Sequence, residues 1–415
     1  MTDEKKILVI GGGISGITAA VEAAETGLAV VLVEREAYLG GRVSRMYQYF
    51  PKMCPPTCGL EINFKRIRNN PRIEVLTLAE VVGVSGGPGD YTVKVKVRPR
   101  YVTGKQPLTQ AHLDAVKTEV PDPFNHGRSK RKALYLPHGM AFPYRYVLDK
   151  AALASDELAA LKAAPAGAID LDETERELEF KVSAVIVATG WKSFDAAKMP
   201  ELSFGKIPDV VDNLTFERYV ALNGPTGGEI KKPSDGQAPK RIAFVQCVGS
   251  RDENHLPYCS GVCCMGSLKQ ARYVRSRLPE AEVSIFYIDI RPISRLEKFY
   301  YDLLQDGKVR FVKGKVPKIT ANASGQPVLH VEEMLEGRKA EETFDLVVLA
   351  AGVVPNTADE KIPGLKAEYD ANGFVLDRPE AGILGAGCVK RPLDVSRSVK
   401  DATAAALKAL QIARR

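Results

Sequence analysis

The chain has no apolar run long enough to cross a membrane. Its longest apolar stretches are short and are interrupted by glycine or threonine, whereas a membrane helix needs about 18 or more apolar residues. The first residues, MTDEKK, lead directly into an apolar segment, which leaves no room for the apolar region of a signal peptide. We therefore expect a cytoplasmic protein without a transmembrane segment.

A strong surplus of one charge is also lacking. The 415 residues include 58 Lys and Arg against 51 Asp and Glu, a net charge of +7. There is no run of five basic residues and no nucleic-acid-binding motif, so we expect no nucleic-acid partner. The length exceeds that of one ordinary domain and predicts two domains with separate cores.

Cysteine is scarce, with seven residues in the whole chain. That is too few for a disulfide scaffold, and a buried, inert residue is the default for a cysteine in a reducing compartment. Their positions argue against this default for all but Cys388. The other six fall in two groups within loops rich in Gly and Pro, namely Cys54 with Cys58, and Cys247, Cys259, Cys263 and Cys264.

The N-terminal residues combine a short strand, a glycine-rich turn and a helix. A β-branched run at 6–10 precedes GGGISG, and an Ala-rich stretch at 17–25 follows it. In such a unit Gly11 makes the turn, Gly13 lets the backbone approach a pyrophosphate, and Gly16 lets the helix pack on the strand. A second strand at 29–33 ends in Glu34, whose carboxylate is placed to accept from ribose hydroxyls. The pattern predicts a dinucleotide site.

The residues after Glu34 indicate which dinucleotide is bound. The string Gly40-Gly41-Arg42 resembles the extended fingerprint of the two-dinucleotide-binding flavoproteins, in which these residues lie along FAD. AVIVATG at 184–190 and ILGAG at 383–387, followed by a predicted helix at 398–412, extend the resemblance. It implies FAD as cofactor, with a site formed by Gly11, Gly13, Ile14, Ser15, Gly16, Glu34, Arg35, Gly41, Arg42, Thr189, Gly190, Gly387 and Cys388. The last of these departs from the pattern, which usually has Asp there.

The same resemblance implies an α/β fold like that of thioredoxin and glutathione reductases. We expect a discontinuous Rossmann-type FAD domain at 1–235 and 345–415, with an insertion at 98–150, and a modified second Rossmann-like domain at 240–344. In the second domain, cysteines stand where a nicotinamide cofactor would need a glycine-rich turn. We therefore expect no nicotinamide cofactor in this domain.

The larger cysteine group has the spacing Cys247-x11-Cys259-x3-Cys263-Cys264. This is neither a zinc-ribbon nor a ferredoxin spacing. Even so, thiols at a strand end, in a loop and at a helix start can converge on one point. A helix beginning at Cys263 would stabilise thiolates and an anionic [4Fe–4S] cluster, and four sulfurs would also suit zinc.

The strings FVQCVGSRDE and PYCSGVCCM resemble those of the A subunit of heterodisulfide reductase, which is a flavoprotein. The resemblance implies that the four cysteines bind a [4Fe–4S] cluster. Larger family members carry ferredoxin-like modules, but in this chain Gln106, Thr109, His112 and Val116 stand at the expected cysteine positions. This shortened form resembles the corresponding flavoprotein of the heterodisulfide-reductase-like complexes of sulfur-oxidising bacteria and archaea.

The resemblance implies a function and partners. It predicts a homodimeric oxidoreductase subunit that passes electrons between flavin and cluster during cytoplasmic sulfur or disulfide oxidation, together with other subunits of the complex. Two alternatives are a stand-alone flavoenzyme, of sulfide:quinone or disulfide reductase type, and a non-catalytic scaffold with structural zinc. Cys54 and Cys58 follow the Gly41-Arg42 turn and should lie near the flavin. They are candidate ligands to a second cluster shared with another chain, a candidate redox dithiol, or a structural pair.

Overall fold

The apolar runs of the chain form two mainly parallel sheets. The computed structural model describes residues 5–293 and 295–414; residues 1–4, which contribute to the cytoplasmic prediction, lie outside them. The five strands of the first sheet are all parallel, and side chains such as Ile7, Val31 and Ile186 are fully buried, as expected of a parallel sheet covered on both faces. Their order is Ile383–Gly385, Ala184–Val187, Lys6–Ile10, Ala29–Glu34 and Ile73–Thr77.

Two alanine-rich helices, Ile14–Glu25 and Val395–Ala413, pack together against the first sheet. Alanine favours the helix, and its small side chain allows the two axes to approach closely. In the part of the chain that the structure describes, no helix combines the length and the apolar character needed to cross a membrane. The remaining α-helices are Thr57–Arg68, Gln110–Ala115, Ser155–Ala163, Asn213–Tyr219, Cys263–Arg277 and Glu297–Gln305.

The second sheet has seven strands. The first five in its spatial order are parallel, and the last two continue it as an antiparallel meander. Their order is Val210–Asp212, Leu346–Ala351, Arg241–Val248, Glu282–Tyr287, Val309–Ala321, Pro327–Glu333 and Arg338–Thr343.

The two sheets divide the chain differently from the boundaries expected at 235 and 345. Val210–Asp212 lies before the first boundary, and Leu346–Ala351 lies after the second, yet both belong to the second sheet. The chain rejoins the first sheet at Ile383–Gly385. A short apolar strand has the same pattern in either sheet, so the sequence alone did not distinguish them.

The insertion lies between two strands of a separate antiparallel meander, whose order is Arg176–Val182, Asp90–Val97 and Ala79–Gly87. It has a small apolar core of its own, and Val116 is fully buried in it. Thr109 and His112 form a capping box, with 2.8 Å between Thr109 Oγ1 and His112 Nδ1, and His112 Nε2 donates to the Pro165 carbonyl at 3.0 Å. Packing and hydrogen bonds therefore order this segment without any cysteine.

Among the described residues, four short antiparallel ladders remain. They pair Trp191–Ser193 with Val353–Pro355, Glu119–Pro121 with Lys130–Lys132, Leu134–Tyr135 with Val147–Leu148, and Glu368–Tyr369 with Val375–Leu376.

A buried carboxylate joins the two domains. Glu217, in the second domain, pairs with Lys269 at 2.8 Å, and both side chains are about 5% exposed. Its Oε1 also accepts from the backbone nitrogens of Tyr47 (3.0 Å) and Gln48 (3.4 Å), which lie in the loop after the Gly41-Arg42 turn. Lys269 Nζ donates to the Gln48 carbonyl at 2.7 Å. This interdomain clamp fixes the loop that leads to Cys54.

Breaking this clamp should destabilise the protein strongly. Glu217→Gln leaves the Lys269 ammonium buried without a counter-charge, which typically costs about 3 kcal/mol or more. We expect urea unfolding to report a loss of that size, with the double variant Glu217→Gln, Lys269→Met recovering much of it. Glu61→Gln, at an exposed position, serves as the control. A loss below about 1 kcal/mol, the range of exposed pairs, would contradict the role assigned to Glu217.

Candidate active site

A large cavity opens at the carboxyl ends of the first-sheet strands, where the two domains meet. Its volume is about 1290 Å³, large enough for a dinucleotide cofactor. Most residues predicted from the flavoprotein resemblance line it, as do Cys54, Cys58 and Cys263 from the two cysteine groups. The predicted cofactor residues among its lining are Gly11, Gly13, Ile14, Ser15, Glu34, Arg35, Gly41, Arg42, Thr189, Gly190 and Cys388.

Two of the predicted glycines, Gly16 and Gly387, do not line the cavity. They are needed because the neighbouring chain passes too close for a side chain. A Cβ on Gly16 would lie 1.7 Å from the Gly11 carbonyl oxygen, so only glycine allows this helix–strand contact. Gly387 has φ +74°, and a Cβ there would lie 2.0 Å from Ser15 Oγ. A Cβ on Gly13, by contrast, meets nothing within 4 Å. Gly13 therefore leaves the space through which a pyrophosphate would approach the backbone.

Glu34 supports the glycine-rich turn directly. Its Oε2 accepts from Gly12 N at 2.6 Å, and its Oε1 accepts from Glu36 N at 2.8 Å. Burial raises the pKa of Glu34, although these two hydrogen bonds favour the carboxylate. Glu34 thus orders the turn in addition to lining the cavity, where the sequence predicts a ribose contact.

Arg42 and the last helix bring positive electrostatic potential to the cavity. The Arg42 guanidinium stacks over the Trp191 ring at 4.8 Å and donates to the Trp191 carbonyl, and burial lowers its pKa to about 10. Asp394 caps the helix Val395–Ala413 by accepting from Arg397 N, and the first residues of this helix line the cavity. A helix N-terminus favours anionic groups. Cys388, nearby, donates to the Leu393 carbonyl at 3.2 Å, and burial raises its pKa.

Two polar residues of the cavity wall, Asn213 and Gln270, were not predicted from the sequence. Thr189 was expected there, but Asn213 and Gln270 join it, and Thr189 Oγ1, Asn213 Oδ1 and Gln270 Oε1 all lack a hydrogen-bond partner among the described residues. Gln270 is almost fully buried. A signal was available in the sequence, because Lys269 and Gln270 are polar residues within a helix whose other buried residues are mostly apolar or small. Unpaired buried polar atoms fit a polar ligand that would satisfy them.

Cys247 lies next to the end of a strand that is locally distorted. The strand Arg241–Val248 has one more residue between Val245 and Val248 than the paired segment of Leu346–Ala351. Within this bulge, Cys247 has φ +61°. A bulge of this kind re-aims the side chain of the extra residue. Cys247 consequently lies near Cys263, at the start of the following helix, and this neighbour is the largest influence that lowers the pKa of Cys247.

The thiols of Cys247, Cys263 and Cys264 shift one another's pKa, and Cys263 influences both of the others. The contact with Cys263, aided by the Arg251 cation, lowers the pKa of Cys247 to about 7 despite burial. The same kind of contact lowers the pKa of Cys264, whereas its two thiol contacts and burial raise the pKa of Cys263. This group of three thiols therefore favours the thiolate form of Cys247 and of Cys264.

Cys259 belongs to the loop that precedes this helix. The loop is fixed by Ser260, whose Oγ lies 2.6 Å from Ser250 Oγ and accepts from Val353 N at 2.9 Å. Cys259 Sγ itself accepts from Gly261 N at 3.4 Å. Across residues 5–293 and 295–414, no group of three or more His, Cys, Asp or Glu side chains is arranged to hold a metal ion. The four sulfurs are thus not set in a ligand geometry.

Cys54 and Cys58 line the same cavity as the glycine-rich turn. Cys58 is the second residue of the helix Thr57–Arg68 and is exposed, whereas Cys54 precedes this helix and is half-buried. Both thiols are free. The structure thereby brings the smaller cysteine group to the predicted flavin site, and Cys263, from the larger group, lines the same cavity.

The backbone at Cys247 predicts an unusual order of stabilities. Cys247→Gly should be more stable than Cys247→Ala by about 1 kcal/mol, because alanine pays the cost of the left-handed conformation. At Cys264, which lies in a helix, the order should reverse by a similar amount. Urea unfolding of the four variants without added metal measures both differences. Equal stability of the two Cys247 variants would contradict the strained conformation.

Comparisons with known proteins identify relatives of this chain. Residues 6–57 match the family described as FAD dependent oxidoreductase. The chain is 37% identical over 98% of its length to the A subunit of the ferredoxin/F420H2-dependent CoB-CoM heterodisulfide reductase of Methanosarcina acetivorans, of which it covers 53%. It is 36% identical over 97% of its length to an iron-sulfur A subunit of the CoB–CoM heterodisulfide reductase of Methanopyrus kandleri, of which it covers 64%.

The chain thus spans between half and two thirds of the length of these curated relatives. Among solved structures, thioredoxin reductase from T. acidophilum aligns over 98% of this chain and 99% of its own, with a TM-score of 0.54 at 14% identity. This likeness confirms the expected two-dinucleotide-binding flavoprotein fold. The resemblance read from the cysteine strings is also confirmed: over nearly its entire length, the chain is a homologue of the A subunit of heterodisulfide reductase.

Proposed function

We propose that this chain is an FAD-containing electron-transfer subunit of a heterodisulfide-reductase-like complex. In this proposal it passes electrons between the flavin and a [4Fe–4S] cluster on Cys247, Cys259, Cys263 and Cys264. The observation that carries the proposal is that Cys263 lines the same cavity as the glycine-rich turn. A cofactor in that cavity would lie against the cysteine group without an intervening domain.

The residues of the cavity fit FAD. Gly13 leaves open space for the pyrophosphate, and the N-terminal ends of two helices, starting at Ile14 and Val395, favour its negative charge. Arg42 and Glu34 both line this cavity, which supports the contacts with FAD that the flavoprotein fingerprint implies for them. The unpaired oxygens of Asn213 and Gln270 supply acceptors for N–H or O–H groups of the bound cofactor.

The cysteine group fits an iron–sulfur cluster by the chemistry of its donors. Three of the thiols lie near enough to shift one another's pKa, the helix Cys263–Arg277 begins at two of them, and the Arg251 cation offsets negative charge. In the proposal, Cys259 supplies the fourth thiolate from its neighbouring loop. Such a cluster exchanges single electrons, whereas FAD exchanges two, so the pair would connect two-electron and one-electron chemistry.

The partners follow from what this chain supplies. The insertion carries no cysteine, and the turn after Val248 carries cysteines instead of a pyrophosphate-binding glycine motif. We therefore propose that other subunits of the complex deliver and remove electrons during sulfur or disulfide oxidation. The homodimer and the cytoplasmic location stay predictions of the family resemblance.

Two variants should remove the two cofactors independently. Gly13→Glu fills the open space at the turn and should abolish FAD content, while Cys259→Ala should lose cluster iron and sulfide and keep FAD. Each variant is the control for the other. The measurements are the flavin spectrum and the iron, sulfide and zinc contents of protein purified without oxygen.

The outcomes distinguish the alternatives. Normal FAD in Gly13→Glu would refute the assigned flavin site. Zinc without iron in the wild-type protein would favour the structural-zinc scaffold. Flavin without iron that is promptly reduced by sulfide would favour a stand-alone reductase.

A further inference from the structure

The electron route between flavin and cluster leaves Cys54 and Cys58 unused, although both line the flavin cavity. The chain between them folds into one helical turn, because Cys58 N donates to the Pro55 carbonyl at 3.1 Å and Leu60 N to the Pro56 carbonyl at 3.1 Å. Cys54 lies directly before this turn, and Cys58 is the second residue of the helix that follows it. Only Pro55, Pro56 and Thr57 separate the two thiols along the chain.

Tyr49 completes this small site. Its backbone nitrogen donates to the Cys54 carbonyl at 3.1 Å, and Met53, with φ +56°, makes the tight bend that returns the chain to it. The Tyr49 hydroxyl lies beside the first helical turn, 3.2 Å from where a Cβ on Gly59 would be. A phenol is thus held next to the two thiols, at the wall of the flavin cavity.

The segment that carries the pair is held in place from both domains. The interdomain clamp binds the backbone of Tyr47 and Gln48, and Phe50 and Met53 pack against the apolar core of the second domain. Cys58, in turn, belongs to a helix whose Leu60 packs in the core of the first domain. The relative position of the two cysteines is therefore set by the whole fold and not by the loop alone.

A metal centre at this pair would need ligands that the described residues do not place there. Cys54 and Cys58 supply two sulfurs, and no third Cys, His, Asp or Glu joins them in a metal-binding group within the described chain. A dithiol needs only the two sulfurs and an electron acceptor, which the neighbouring flavin site offers. We propose that Cys54 and Cys58 form a redox dithiol that exchanges with a disulfide substrate and transfers its two electrons to or from the flavin.

The exchange balances in atoms and electrons. The exposed Cys58 thiolate attacks one sulfur of a disulfide R–S–S–R′, forming a mixed disulfide and releasing R′S⁻. Cys54 then attacks Cys58 Sγ, which releases RS⁻ and leaves a Cys54–Cys58 disulfide. Two electrons from the reduced flavin and two protons restore both thiols; run in reverse, the same steps oxidise two thiols. Tyr49 is positioned to hold a proton beside the leaving sulfur.

The surroundings of the pair define the class of substrate. Ile62 lies one turn after Cys58 on the same helix face and is exposed, and Ile293 and Leu296 contribute further apolar surface to the cavity. Lys52 and Arg295 add cationic side chains to the same cavity. The site therefore fits a disulfide with apolar arms and an anionic group. This inference rests on the proposed function for the flavin, but not on the cluster.

The first test examines the cysteines themselves. Trypsin cleavage after Lys52 and Lys65 places both cysteines in one peptide, residues 53–65. Treatment of the FAD-loaded protein with one equivalent of diamide without oxygen should make this peptide lighter by two hydrogen atoms and protect both thiols from alkylation. Thr57→Ser, which keeps both thiols, is the control and should behave as wild type. Free, alkylatable thiols after this treatment would overturn the proposal.

The second test counts electrons. Anaerobic reduction of diamide-treated protein should consume two electrons per chain more in the wild type and in Thr57→Ser than in Cys54→Ser or Cys58→Ser. Turnover of the anionic aromatic disulfide 5,5′-dithiobis(2-nitrobenzoate) by photoreduced protein should fall at least tenfold in both serine variants. Equal electron counts in all four proteins would overturn the proposal.

The two proposals fail in different ways. Loss of iron from both Cys54→Ser and Cys58→Ser would mean that the pair ligates a cluster shared with another chain, which refutes the dithiol and leaves the flavin site intact. Absence of FAD from the wild-type protein would refute the proposed function, and the peptide mass would still report whether the disulfide forms. The flavin spectrum of every sample separates these cases.

Discussion

The buried pair of Glu217 and Lys269 fixes the one segment on which the arrangement of the cavity depends. The loop after Arg42 leaves the first domain, is held through Tyr47 and Gln48 by these two side chains, and returns at Cys54. A buried ion pair is a weak source of net stability but a strong constraint on geometry when hydrogen bonds satisfy both partners. Here additional donors from Gln270 and Tyr273 satisfy the carboxylate. Both cysteine groups consequently face one cavity in a fixed relation.

The first domain could be read from the sequence because its turns demand particular residues. Gly16 is required where any side chain would meet the Gly11 carbonyl, and Gly387 where it would meet Ser15. Such steric demands act at single positions, so they are visible as glycines at fixed places in the sequence. The helix expected at 398–412 extends in the structure over Val395–Ala413, because Asp394 caps it earlier than the alanine pattern suggests.

The interdomain features were beyond the sequence because they join residues that are distant along the chain. Glu217 reads as an ordinary surface acid within a short helix, and its partners lie about 50 and 170 positions away. Tyr49 likewise shows no signal, since its contact with the turn at Gly59 depends on a bend at Met53. Strand assignment to one sheet or the other failed for the same reason: Leu346–Ala351 is apolar and short in a way that suits either sheet.

The insertion, where the family resemblance led us to expect a cluster-binding module, is folded without cysteine. A metal centre supplies folding energy through its ligands, so their loss must be offset locally. At three of the four positions where cysteines were expected, Val116 is buried in an apolar core, and Thr109 and His112 form a capping box, with His112 also donating to the Pro165 carbonyl. In the two proposals the redox centres would lie together at the interdomain cavity, with the flavin between a one-electron cluster and a two-electron dithiol. That position is one in which a flavin, which accepts electrons singly or in pairs, can join the two kinds of chemistry.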